Sequence, residues 1–233
     1  MVTTLDKGVG RVMGALHERG LENDTIVFFL SDNGCPNYTH GACSNAPYAG
    51  WKAFPLEGGV RVPFMISAPG RARAGQVDTH IVSTLDIMPT IAAAIGQAAP
   101  AGSEGQNLFT PSRAPGERAL YWRMGPNHWA RHGPWKLVTI NKAAQVQDIS
   151  EVLGKGLPDA VPSGIPPLGQ WDLLFNLDRD PGERRDVEGQ YPGEIGRLQR
   201  DYTAWDAKNI DPIFPSRREF RTGIDGKKVQ LIF

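Results

Sequence analysis

The sequence predicts an α/β protein: a partial α/β/α sandwich over residues 1–115, followed by a small antiparallel sheet with a C-terminal helix over 116–233. Three observations predict it. Residues 5–20 have helical spacing and lead directly into the apolar run Thr25–Leu30, the helix-then-strand unit of an α/β sheet. Past residue 118 the period changes, and short β-rich runs alternate with turn signals. Glycine (27) and proline (19) together exceed ordinary usage, which predicts many tight turns and long functional loops, while six Trp and nine Phe supply a core.

In order along the chain, Leu5, Val9, Val12, Met13 and Leu16 form one helical stripe that stops at Gly20, a good residue just past a helix end. Thr25-Ile-Val-Phe-Phe-Leu30 is apolar on both faces, the pattern of a central strand covered by helices on each side. Ser31 to Gly59 has no period and far exceeds a typical connection, so it reads as a functional loop. Val60 to Ser67 reads as a second strand, and Ala68-Pro-Gly70 as a turn. Leu85 to Gly96 reads as a helix with Pro89 near its first turn, and Gln97 to Glu117 as a linker or surface excursion. Ala119–Arg123, Trp135–Ile140 and Trp171–Leu177 are short strands, with His128 and His132 flanking a hairpin. Gly154 to Gly169 reads as a loop, Asp180–Glu183 as a turn, and Ile195 to Ala207 as a helix with Ile195, Leu198, Tyr202 and Trp205 on one stripe. The aromatics of 121–135 read as core of the small sheet rather than as a sugar platform.

Composition excludes some functions. Twenty-five basic residues balance twenty-five acidic ones, leaving no basic footprint for nucleic acid or acidic lipid. The apolar runs fall far short of the roughly 18–20 residues that span a bilayer, so no membrane segment is expected, and residues 1–25 read as an amphipathic helix instead of a secretory signal. Cys35 and Cys43 lack the spacing of a zinc site and leave the redox compartment open.

The chemistry concentrates after the first strand. Ligand sites of α/β sheets lie beyond the carboxyl ends of strands, and Ser31-Asp32-Asn33-Gly34 stands there. A carboxylate beside an amide carbonyl suits a hard cation, Ca²⁺ or Mg²⁺, provided the strand breaks so that both face one ion, which Gly34 permits. Asp-Asn-Gly is equally an ordinary turn. Further on, Lys52 precedes Glu57-Gly58-Gly59-Val60-Arg61-Val62-Pro63. Such a lysine places a point charge on an anion, with Gly58 and Gly59 allowing close backbone approach; the alternative is a solvated lysine and a Glu57–Arg61 ion pair.

Taken together, Ser31–Gly34, Asn45-Ala-Pro47, Gly50–Lys52, Glu57–Pro63, Pro69-Gly70, Ser83–Thr90, Ala119–Arg123, Gly133–Val138 and Leu174–Glu183 resemble the sulfatase family of the alkaline-phosphatase-like superfamily. The resemblance covers most of residues 5–190. It implies a sulfuric ester hydrolase in which Asp32 and Asn33 are half of a Ca²⁺ site and Lys52 contacts the sulfate; His40, between them, is a further candidate for lining the substrate site, the alternative being an ordinary surface histidine. It implies a formylglycine nucleophile, made from Cys or Ser in a Cys/Ser-x-Pro-x-Arg pattern. Neither Cys35 nor Cys43 has that spacing, so the chain is expected to lack the nucleophile segment. That segment, with the family's N-terminal aspartates and catalytic histidines, is expected upstream of Met1. The chain thus reads as the C-terminal half of a sulfatase.

The expected substrate is a sulfated small molecule or glycan. The N-terminal half would be needed for activity, and self-association is possible where strand edges and apolar faces lie open. Two other readings stand beside this one: a non-catalytic truncated module, and a phosphoryl-transfer hydrolase of the same superfamily, which would use two metals and more His and Asp ligands than follow Asp32. Trp51 stands where relatives commonly carry glycine and is expected to reshape the site wall. Cys35 and Cys43 are left as either a bridge or free thiols. Full-length relatives are typically exported, whereas no export signal is legible here.

Overall fold

The structure is a computed structural model that describes residues 1–39, 41–110, 118–125, 127–140, 171–211 and 219–232. The chain divides into two compact units, Met1–Asp32 with Val62–Ala114, and Asn33–Arg61 with Pro115–Phe233.

In the first unit, helix α1 spans Val2–Glu18. It ends in a Schellman arrangement, Gly20 N–H donating to His17 O at 2.9 Å and Leu21 N–H to Leu16 O at 2.9 Å, with Gly20 at φ 65°. Strand β1 (Val27–Leu30) pairs antiparallel with β2 (Phe64–Ser67), Val27 opposite Ser67 and Leu30 opposite Phe64. This corrects the expectation of a fully covered central strand. Among the described residues β1 has a partner on one edge only, and all four of its residues remain half-buried. Helix α3 spans Ile87–Ala94. A capping box precedes it: Ser83 Oγ accepts from Leu85 N–H and the buried Asp86 carboxylate accepts from Ser83 N–H. Asp86 also accepts from Gln106 N–H at 2.7 Å, and Thr90 Oγ1 from Leu108 N–H at 2.9 Å. Residues 106–108 are therefore an excursion pinned to α3, not a free linker.

The second unit is built on a four-stranded antiparallel sheet in the order β3 (Ala119–Met124), β4 (Asn127–His132), β5 (Trp135–Ile140), β6 (Trp171–Asn176). His128 and His132 both lie within β4, which pairs with β3 and with β5, and His132 faces Trp135 across the Gly133-Pro134 hairpin turn. Asn-His-Trp-Ala-Arg-His lacks the β-branched run that marked the other strands.

Both faces of this sheet are covered. Helix α4 (Pro192–Asp206) buries Leu198 and Tyr202 against Ala130, Leu137 and Leu174. Phe54, Leu56, Ile224 and Val229 pack on the other face against Trp129, Val138, Ile140, Leu173 and Phe175. Ile224 and Val229 come from a hairpin unpredicted by the sequence reading, β7 (Glu219–Ile224) with β8 (Lys227–Ile232). Its turn is Asp225-Gly226, both at positive φ (46° and 74°), a two-residue hairpin signal carried by the sequence itself. The Gly154–Gly169 loop lies outside the described residues. Where the sequence suggested a strand from Val60, Glu57–Val60 is instead a short helix, α2, and extended structure starts at Phe64.

Candidate functional site

Leaving β1, the chain bends through Asp32, Asn33 and Gly34; Asp32 is exposed, Asn33 half-buried and Gly34 buried. Gly34 N–H donates to Gly59 O at 3.0 Å, and a Cβ on Gly34 would stand 1.7 Å from Gly58 O. Gly58 N–H donates to Ala49 O at 2.7 Å, and a Cβ there would lie 2.4 Å from the same oxygen. On Gly59 it would lie 2.2 Å from Phe54 O. No side chain fits at any of the three. The close backbone approach that Gly58 and Gly59 allow is taken up by the protein's own chain: three loop segments meet there in a backbone knot.

Lys52 is exposed and belongs to this knot through its backbone, its N–H donating to Cys35 O at 3.4 Å. Asn33 and Lys52 therefore attach to neighbouring turns of one unit. The loop between them is cross-linked by a Cys35–Cys43 disulfide, which decides between the two states left open by the sequence. Asn45, not singled out as a functional residue, organises the same loop: its Oδ1 accepts from Cys35 N–H at 2.6 Å, and its Nδ2 donates to Cys35 O at 2.9 Å and Gly50 O at 3.1 Å. His40 lies outside the described residues. Trp51 is half-buried and packs on Phe54 at 4.6 Å between ring centroids and against the sheet core.

Glu57 opens α2 and is buried. Its expected partner Arg61 stands 3.7 Å away and is half exposed, but closer cations come from the sheet: Lys136 Nζ at 3.0 Å from Oε1 and Arg131 Nη1 at 3.4 Å from Oε2. Lys136 Nζ also lies 2.9 Å from Glu183 Oε1, and Glu183 Oε2 accepts the Glu57 backbone N–H. Burial alone would raise the Glu57 carboxyl, yet Lys136, Arg131 and Arg61 outweigh it and hold it below the ordinary carboxylate value. Burial dominates at Glu183 and pushes its carboxyl up, against the opposing pull of Lys136 and the Glu57 amide.

For a metal, the donor set of Asp32 and Asn33 is one carboxylate and one amide oxygen, the hard-oxygen chemistry that Ca²⁺ and Mg²⁺ prefer. In kind these two donors suit such an ion, and in number they fall short of the six to eight oxygens Ca²⁺ takes. Among the described residues no group of three or more His, Cys, Asp or Glu is gathered for a metal.

The expected lack of a nucleophile pattern needs a correction. Ser67-Ala-Pro-Gly-Arg71 has the Ser-x-Pro-x-Arg spacing. Its geometry is that of a turn closing a strand: Arg71 N–H donates to Ala68 O at 3.0 Å and Gly70 has φ 74°. Ser67 pairs with Val27, at the end of the ladder opposite Leu30, so it stands roughly 10 Å along the strands from the exit that carries Asp32.

Comparison with known proteins gives one family. The sulfatase family model matches residues 1–97. Steryl-sulfatase of Mus musculus is 32% identical over 207 residues, covering 79% of this chain and 32% of its own length. Arylsulfatase A of Bos taurus is 30% identical over 191 residues, 77% of this chain and 36% of its own. The crystal structure of Ps i-CgsB in complex with k-i-k-neocarrahexaose superposes with TM-score 0.71 at 25% identity, covering 92% of this chain and 43% of that one. The chain thus spans about a third of the length of the curated relatives it matches, and its fold is the alkaline-phosphatase-like α/β fold predicted from the sequence.

Proposed function

Because this chain belongs to the sulfatase family, we propose that it supplies the C-terminal portion of a sulfate-ester hydrolase, with Asp32 and Asn33 as ligands of a divalent cation and Lys52 as a sulfate contact. The observation that carries this reading is the glycine knot. It fastens the strand exit bearing Asn33 to the loop bearing Lys52, through Gly34 N–H on Gly59 O and Lys52 N–H on Cys35 O. An amide oxygen and an ammonium attached to so short a framework suit a cation and the anion it holds.

When bound, Ca²⁺ or Mg²⁺ would offset charge on the sulfate oxygens. The residues of this chain would do the rest of what falls to them by position. Asn33 and Asp32 hold and orient the ion at the strand exit, and Lys52 supplies a second positive charge to the sulfate, favouring the more strongly charged transition state. The disulfide and Asn45 keep the intervening loop from carrying Lys52 away. The nucleophile is assigned to polypeptide outside these 233 residues. Both cysteines are bonded to each other, and Ser67 sits at the far end of the strand ladder. The apolar groove lined by Leu5, Val12, Val27 and Phe29, in which Leu5 and Val12 are exposed, supports the reading that further chain covers this unit. The disulfide supports folding in an oxidising compartment. The substrate is assigned to sulfated small molecules or glycans.

The test is hydrolysis of a chromogenic aryl sulfate, with metal content measured in parallel, by this chain alone and by the chain joined to a nucleophile-bearing sulfatase N-terminal portion. Turnover is expected in the joined protein only, and Asp32→Ala should abolish it together with bound calcium. Turnover by the chain alone overturns the division of labour; full activity of Asp32→Ala with normal calcium overturns the metal assignment.

A further inference from the structure

The buried charges behind the knot have no part in the reaction just described. Lys136 lies on β5 directly opposite Arg131 of β4, so both side chains rise from one face of the sheet. On that face they meet Glu57, and Lys136 meets Glu183 as well, in a set of two cations and two carboxylates. Lys136 has 0% side-chain exposure and the carboxylates no more than 2%. Glu183 is held at φ 51°, a backbone state that a non-glycine residue keeps only where its surroundings fix it. Its turn is set by Asp180, whose Oδ2 accepts from Arg184 and Arg185 N–H at 2.8 Å each.

We propose that Lys136 is a positioning residue for the candidate site: by holding Glu57 and Glu183 it fixes the glycine knot that carries Asn33 and Lys52. This rests on the reading of Lys52 as a sulfate contact. The path is continuous within one unit. Lys136 grips the Glu57 side chain, Glu183 grips the Glu57 backbone N–H, and Glu57 opens the helix whose Gly58 and Gly59 are bonded to Ala49 and Gly34. Asn33 adjoins Gly34 on one of those segments, and Lys52 lies three residues past Ala49 on the other. An apolar set of equal volume would fill the same space at lower desolvation cost. The ionic set adds direction: the lysine pairs with two carboxylates only when α2 and the Asp180–Glu183 turn both stand where they do.

The experiment is amide hydrogen exchange on the whole chain, wild type against Lys136→Met/Glu57→Gln, which removes a charge of each sign, with a titration of inorganic sulfate on wild type, the double variant and Lys52→Ala. The amides of Gly34, Gly58, Gly59 and Arg61 should exchange at least about tenfold faster in the double variant while those of β4–β6 change by less than about threefold. Sulfate should bind wild type, lose its site in Lys52→Ala and bind the double variant roughly tenfold more weakly. If loop and sheet accelerate together, or the loop does not accelerate, Lys136 is a core residue only and the inference is overturned. If the double variant binds sulfate as wild type does while Lys52→Ala does not, the positioning role is likewise overturned. If wild type binds no sulfate, the reading of Lys52 fails instead. Should the double variant not fold, Glu57→Gln alone carries the same comparison.

Discussion

Glycines in the two units do opposite work. In α1, a Cβ placed on Gly8, Gly10 or Gly14 would meet nothing within 4 Å, whereas at Gly34, Gly58 and Gly59 it would collide with carbonyl oxygens at 1.7–2.4 Å. The apolar residues divide the same way. No residue of α1 is buried, and Leu5 and Val12 remain 58% and 59% exposed, while Val138, Leu173, Leu174 and Phe175 in the sheet are wholly enclosed. The second unit is specified by interior fit at single-atom scale; the first is specified by local helical and strand preferences and leaves an apolar face to be covered. Substitutions should therefore be felt very differently in the two.

The largest effect is expected at Lys136. Replacing it by Met leaves two buried carboxylates without their shared cation and should cost about 3–5 kcal/mol in urea unfolding; a loss below about 1 kcal/mol would break the contrast by showing the second unit indifferent to its buried charges. Next, Gly58→Ala forces a methyl into Ala49 O and should cost about 1–3 kcal/mol by the same measurement, with faster exchange at Gly34.

Acid sensitivity sharpens the comparison further. Glu57 has a lowered native value, so it contributes stability that is present above its ordinary value of 4.5 and lost as pH falls through the native one. Glu183 has a raised native value, so its contribution is present below 4.5 and lost as pH rises through the native one. Unfolding free energies from about pH 3 to 7 should show Glu57→Gln flattening the acid limb by a slope of up to about 1.4 kcal/mol per pH unit, and Glu183→Gln flattening the opposite one. Unchanged pH profiles in both would remove the charged network from the account of this unit. The smallest effect, with reversed sign, is Gly8→Ala in α1: open space and better helix propensity should gain up to about 1 kcal/mol in thermal unfolding.

Much of this was legible along the chain. The stripe Leu5 to Leu16, the stop at Gly20, the Ser83 cap before α3 and the stripe of α4 are local patterns, and local patterns formed the predicted elements. Strand β4 was missed because histidine, alanine and arginine carry no strand signal of their own; tertiary pairing on both edges made it one. The helix Glu57–Val60 was hidden by two glycines that ordinarily weaken helices, and the contacts that force it come from sheet residues far off in sequence. Lys136 had one faint signal: alternation in Trp135–Ile140 places it on the same face as the buried Val138 and Ile140, where a lysine calls for a partner.

By itself the sequence determined the fold class, the order of most elements, the family, and the strand exit and lysine on which the functional reading depends, because each is written in residue types close together along the chain. Only the tertiary structure decided that Cys35 and Cys43 are joined, that the backbone approaching Gly58 and Gly59 is that of residues 49–54, and that Glu57 answers to Lys136 and Glu183. The Glu57 contacts depend on atoms brought together from segments 79 and 126 residues apart. Contact across such separations is fixed by packing and by the cost of burying unpaired charge, neither of which leaves a period in the sequence.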